Sequence, residues 1–161
     1  MQSEYGPLNA THKAFREGTH ELTFNCVSIT HRDGRRTQTV DSGQPMKVIA
    51  DFTVVRPMKD VRFRFEIFSA ANEMLSMITS VGITENFEFY GEHSIEFDMS
   101  RCQLTSGWYY LNAVAVGKEL RLDTWQRAAE FQVSILDQAT HNLSADQGIF
   151  VSEGLWRLSS G

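Results

Sequence analysis

The chain has 161 residues, 42% hydrophobic and 22% charged, which is the size and make-up of one globular domain and not of a disordered tail. Its net charge of −5 and the lack of any Lys/Arg-rich run argue against nucleic acid as a partner. No apolar stretch approaches the roughly 18 residues of a membrane helix, and the N-terminus lacks the apolar core of a signal peptide. The expectation is a cytosolic protein, or a fragment of something larger. In that compartment the sequons at Asn9 and Asn142 carry no meaning, and Cys26 and Cys102 stay reduced.

Residues 1–18 are polar and aperiodic and end at Gly18; they read as a linker or lead-in, with the folded domain expected over 19–161. Leu22 and Phe24, then Val27 and Ile29, alternate with polar residues, and the phase slips by one between Phe24 and Val27. Such a slip predicts a β-bulge. A turn at His31–Gly34, where Arg32, Arg35 and Arg36 cluster, closes the strand. Met46, Val48, Ala50, Phe52 and Val54 mark a second strand, expected to stop at Arg56-Pro57. Val61, Phe63, Phe65 and Ile67 give the cleanest alternation, turned at Ala71-Asn72 into a strand over 74–81. Further strands follow at Ile95–Met99, bounded by Gly91, at Trp108–Val116, and at Trp125–Ile135.

About seven to nine short strands with turn residues between them predict an all-β, immunoglobulin-like antiparallel sandwich. The last apolar segment, Gly148–Val151 and Gly154–Arg157, is reached by the longest polar connection in the chain. A terminal strand on such a connection can pair within its own chain or be exchanged between two copies.

Motifs with chemistry of their own are scarce. GxxxxGK[ST] and GxGxxG are both absent, so the chain is not expected to bind or hydrolyse ATP. His31-Arg32-Asp33 opens like a kinase catalytic loop, but Thr37 stands where that loop needs Asn. His12, His20, His31, His93 and His141 never pair at metal-ligand spacing and no CxxC occurs, so neither a metal nor another cofactor is expected.

Glu66 and Glu130 both lie on the face opposite the apolar alternation of their strands. With the 108–116 strand between theirs, two inter-strand spacings set their backbones roughly 10 Å apart. That is near the separation used by inverting glycosidases, although exposed strand faces are often rich in glutamate.

If the strands over 61–68, 108–116 and 125–134 share a sheet, Val61, Phe63, Phe65, Tyr109, Leu111, Ala113, Ala129, Phe131 and Val133 face the core. The other face then carries Arg62, Arg64, Glu66, Trp108, Tyr110, Asn112, Glu130 and Gln132. Aromatic rings offer flat platforms to the C–H faces of sugars, and the planar polar groups suit hydroxyls and carboxylates. The same residues also suit plain cross-strand pairing.

Several segments taken in order resemble one known family. Glu17-Gly18-Thr19-His20-Glu21-Leu22-Thr23-Phe24, then Val27-x-Ile29 and Asp33-Gly34, are similar to the opening of the C-terminal domain of Wzt-type O-antigen exporters. Ser42-Gly43-Gln44-Pro45, Phe63-x-Phe65-x-Ile67, Gly107–Ala113, Asp123 through Phe131-Gln132-Val133, and the tail Gly148–Val151 with Trp156 resemble its later blocks.

The resemblance implies a non-enzymatic module that binds undecaprenyl-linked O-polysaccharide near its non-reducing end and couples chain completion to export. It also implies a homodimer with an exchanged terminal strand. In the full-length protein it implies an ATPase domain, absent here, and a membrane-spanning transporter subunit, with the whole cytoplasmic and peripheral to the inner membrane. Two rivals are a glycoside-processing enzyme using Glu66 and Glu130, and an immunoglobulin-like dimerisation module without a small ligand.

Overall fold

Alternating apolar and polar residues leave each strand with one face to bury, and two such sheets stacked face to face bury both. The computed structural model describes residues 16–80, 83–135 and 154–160 and has this architecture. Its strands are β1 (Arg16–Glu17), β2 (Leu22–Thr30), β3 (Thr39–Asp41), β4 (Met46–Lys59), β5 (Arg62–Ser69), β6 (Met74–Thr79), β7 (Glu88–Met99), β8 (Gly107–Val116), β9 (Arg121–Ser134) and β10 (Gly154–Ser160). One sheet runs β1-β9-β8-β5-β6, with β3 also on β9; the other runs β10-β7-β4-β2. Among the described residues no helix is long and apolar enough to cross a membrane.

Phenylalanines from both sheets meet in the middle. Phe52 of β4 and Phe63 of β5 have ring centroids 4.8 Å apart, and Phe24 and Phe89 pack edge-on against Phe63. All four are fully buried. The inward set read from the alternation, Val61 through Val133, lies in or against this core.

The sandwich is as expected, and so is the bulge between Phe24 and Cys26. Other details differ. There are ten strands among the described residues, and β3 runs parallel to β9, not antiparallel. Both additions are short: β3 has three residues and β1 two, too few to leave a period-2 signature. β1 falls inside the expected lead-in, where Arg16 and Glu17 pair with Trp125 and Thr124. Gly18 then turns the chain at φ 139, and any Cβ there would collide with the Leu122 carbonyl.

Pro57 does not end β4. The register jumps from Val54↔Gly91 to Met58↔Phe89, so Pro57 sits in a bulge where no ladder N–H is required. Gly91, at φ 83, is the matching kink inside β7 and not its boundary. Val81, Gly148 and the Ile149–Val151 segment lie outside the described residues.

β10 pairs antiparallel with β7 of the same chain. Trp156 stacks on Phe65 at 5.4 Å and contacts Phe97 at 5.1 Å, while Arg157 bridges Glu96 at 2.9 Å and Asp98 at 3.2 Å.

Candidate functional site

β8 runs through the middle of the larger sheet, with β5 on one side and β9 on the other. The pairs Arg64↔Val114, Glu66↔Asn112 and Phe68↔Tyr110, with Tyr110↔Glu130 and Trp108↔Gln132, lay out the outer face row by row. All eight residues expected on that face are there.

Its centre is built by an irregularity in β9. Leu111 pairs with Ala129 but Ala113 pairs with Trp125, so Gln126, Arg127 and Ala128 stand opposite Asn112 alone. Three residues against one must bow outward. Arg127 takes up the excess with φ 57, a left-handed conformation that costs an arginine energy. Asn112 compensates: its Oδ1 accepts the Arg127 backbone N–H at 2.8 Å, and its Nδ2 donates to Glu66 Oε1 at 3.2 Å. Glu66 is held in turn by Arg64 at 2.9 Å.

The bulge carries the Arg127 guanidinium over the Tyr110 ring, 4.1 Å from its centroid. Phe68 stacks on that ring from the β5 side at 5.2 Å, with the planes only 4° apart. The Tyr110 hydroxyl donates to Asn72 Oδ1. Both sides of the ring are therefore taken, and Tyr110 is only 6% exposed. Burial pushes its phenol up, partly offset by Arg127. Burial likewise pushes the Glu130 carboxyl above its ordinary value, against the pull of Arg127.

Phe68, Asn72, Tyr110, Asn112, Gln126 and Arg127 line a pocket of about 290 Å³. Trp108 lies two residues along β8 on the same face and is 44% exposed, so its ring is open to a ligand. An apolar platform beside a pocket of amides and a guanidinium is suited to a polyhydroxylated ring. Among the described residues no group of three or more His, Cys, Asp or Glu side chains is placed to hold a metal ion.

The sequence matches the Wzt C-terminal domain family over residues 13–150. The chain belongs to that family. A solved structure with the same fold is a crystal structure of the C-terminal domain of Wzt, with TM-score 0.67 at 14% identity, covering 91% of this chain and 83% of that one. Two other structures overlap more loosely. They are the Pseudomonas fluorescens DNA glycosylase AlkC bound to abasic-site DNA (TM-score 0.41, 12% identity, 70% of this chain and 30% of that one) and the catalytic domain of the Listeria monocytogenes LPMO Lmo2467 (0.33, 16%, 66% and 64%). Overlap that loose carries no argument. No curated protein sequence matches the chain.

Within this family member the eight predicted residues do not form one cluster. Arg64, Glu66, Asn112, Tyr110 and Glu130 adjoin the central pocket, and Trp108 with Gln132 make the next row. Arg62 stands apart, opposite Val116, and lines a separate hollow with Asp60, Asn86 and Lys118. Phe68, Asn72, Gln126 and Arg127 were not foreseen. For Arg127 the signal was present: extending the alternation of Val133, Phe131 and Ala129 backwards puts an arginine in the core, which only a bulge resolves.

Proposed function

We propose that this domain binds bacterial O-antigen polysaccharide on the outer face of its larger sheet. Arg127, Asn112 and Gln126 supply hydrogen bonds to hydroxyls, and Trp108 supplies the stacking platform. The observation that carries this reading is the bulge itself, a strained arginine held by a buried asparagine beside an open tryptophan. Family membership supports it independently. The module recognises undecaprenyl-linked chains near their non-reducing end and reports completion to an ABC exporter. It acts without catalysis, as a homodimer in which β10 leaves the β7 of its own chain, where it pairs in this structure, for the β7 of the partner, joined to an ATPase domain and a membrane-spanning subunit on the cytoplasmic side of the inner membrane.

One observation favours the glycosidase reading: a carboxyl held above its ordinary value, as at Glu130, suits a general acid. Its partner is poorly placed. Glu66 is tied to Arg64 and Asn112, and it pairs with Asn112 where Glu130 pairs with Tyr110, a diagonal offset of two residues. Binding is the better account. Calorimetric titration with the O-polysaccharide of the source strain, beside polysaccharides of other serotypes, tests it. Saturable binding of the cognate polymer without cleavage is expected; cleavage of the polymer would decide for the enzyme.

A further inference from the structure

A larger cavity, of about 370 Å³, lies at the β3 edge of the same sheet. His31, Arg32, Asp33, Asp41, Gln44 and Pro45 line it, drawn from the β2–β3 connection, from β3 and from the β3–β4 turn. Asp33 is already engaged, accepting from the Arg35 backbone N–H at 3.0 Å and from Arg35 Nε at 2.8 Å. Among the described residues, Asp41 and Gln44 have no side-chain partner. Asp41 is half-buried and Gln44 exposed, so a carboxylate acceptor and an amide donor both stand open to the hydroxyl groups of a ligand.

The register connects this cavity to the first pocket. Trp108 pairs with Gln132, and Gln132 pairs with Thr39 of β3, so the three share one row of the outer face. Asp41 lies two residues beyond Thr39, opposite Ser134 and on the same face. Along and across the strands, Tyr110 and Asp41 are roughly 15–20 Å apart, at about 3.3 Å per residue and 4.8 Å per strand. Trp108 stands between them, its ring exposed.

We infer that the cavity at Asp41 and Gln44 is a second saccharide subsite, reached by a chain that leaves the Tyr110 pocket and crosses Trp108, Gln132 and Thr39. The inference rests on the glycan-binding reading above and adds to it a defined path and a length requirement. The carboxylate of Asp41 accepts two hydroxyls of one sugar ring, and the Gln44 amide donates to a third oxygen. Pro45 gives that ring an apolar contact. Because both subsites belong to one rigid sheet, the second is engaged at high effective concentration once the first is filled. A fragment too short to span the gap fills only one.

The test compares short and long fragments cleaved from the O-polysaccharide of the source strain, titrated into the full chain and into the Asp41→Asn and Gln44→Ala variants. Long fragments are expected to bind the unaltered protein roughly 10- to 100-fold more tightly than short ones, the worth of hydrogen bonds to a charged carboxylate. Either variant should shrink that difference while leaving short-fragment affinity and thermal unfolding unchanged. Equal affinity for both lengths overturns the inference, and so does a difference that persists in both variants, as it would if it came only from the greater number of registers on a long chain. Either result leaves binding at the Tyr110 pocket standing. Failure of every fragment to bind removes the glycan reading and the second subsite together.

Discussion

Asn112 on β8 accepts the backbone N–H of Arg127 on β9 at 2.8 Å, and through that bond a buried amide fixes where an arginine side chain points. The bulge, the guanidinium over Tyr110 and the pocket all depend on it. Replacing Asn112 by Leu leaves that N–H and Glu66 Oε1 without their partner, at about 1–3 kcal/mol for each buried group left unsatisfied. Chemical denaturation should show this loss, and glycan affinity should fall with it. Asn112→Asp keeps the acceptor for Arg127 but sets a second carboxylate against Glu66, so it should preserve the bulge better than the binding.

Arg127→Gly separates fold from function. Glycine adopts the left-handed conformation at no steric cost, so the bulge survives while the guanidinium is lost. Stability should be unchanged or slightly raised. Binding should weaken roughly 10- to 100-fold, the worth of about 1.5–3 kcal/mol for hydrogen bonds from a charged donor. Arg127→Val, β-branched at a positive φ, should destabilise the protein instead.

Asp123 clasps the entering chain. Its carboxylate is fully buried and receives Arg16 Nη2 at 2.6 Å and the Phe24 N–H at 2.8 Å, with His20 Nε2 lying 3.4 Å away. Removing one partner of a buried ion pair costs about 3–5 kcal/mol. Arg16 keeps some solvent contact, its side chain 22% exposed, so Asp123→Ala should fall at the low end, about 3 kcal/mol. For a chain of this length that lowers Tm by roughly 6–12 °C, readable by calorimetry.

The pH dependence of stability carries opposite signs at two carboxyls. Glu130 is held above its ordinary value, so the stability it confers is complete below that value and is lost as the pH rises through the folded one. Asp33 is held below its ordinary value by the Arg35 hydrogen bonds, so its contribution is present at higher pH and is lost on acidification. Glu130→Gln should flatten the decline in stability as the pH rises above the ordinary glutamate value. A Tm gain at neutral pH that vanishes in acid is the expected signature.

β10 seals the core at Phe65 and Phe97. Trp156 and Leu158 are partly buried against it, so Trp156→Ala should cost about 1.5–3 kcal/mol of lost burial. The exchange proposal adds a separate expectation: the full chain runs as a dimer, and deletion of residues 140–161 leaves it monomeric, aggregated or unfolded. Light scattering on both proteins decides, and a full chain that stays monomeric at high concentration contradicts the exchange.

Much of this was legible because period-2 alternation is a strong signal when one face of a sheet is buried. Val61, Phe63, Phe65 and Ile67 fixed the phase of β5, and with it the outward placement of Arg62, Arg64 and Glu66. The slip between Phe24 and Val27 disclosed a bulge for the same reason. What alternation hides is any place where it fails by more than one residue. At Gln126–Ala128 the pattern breaks over three; the inward phase of Arg127 marks the break, but nothing nearby names the compensating group, Asn112, which sits on another strand.

The occupancy of ring faces was equally invisible. From sequence Tyr110 reads as an open platform; in the fold Phe68 and Arg127 cover it, and Trp108 takes that part. Tyr110→Ala should therefore destabilise the fold as well as weaken binding. Tyr109→Ala should destabilise it too, since that ring is buried and stacks on Phe131 at 5.7 Å.

The most direct test is titration of the Trp108→Ala variant with the O-polysaccharide of the source strain, alongside the unaltered protein. Trp108 is exposed and outside the core, so its removal should leave unfolding within about 0.5 kcal/mol of the parent. Loss of the stacking platform should weaken binding roughly 2- to 10-fold or more, at about 0.5–1.5 kcal/mol beyond the buried area. A variant that unfolds like the parent and binds the polysaccharide with equal affinity would place the glycan elsewhere and contradict the account.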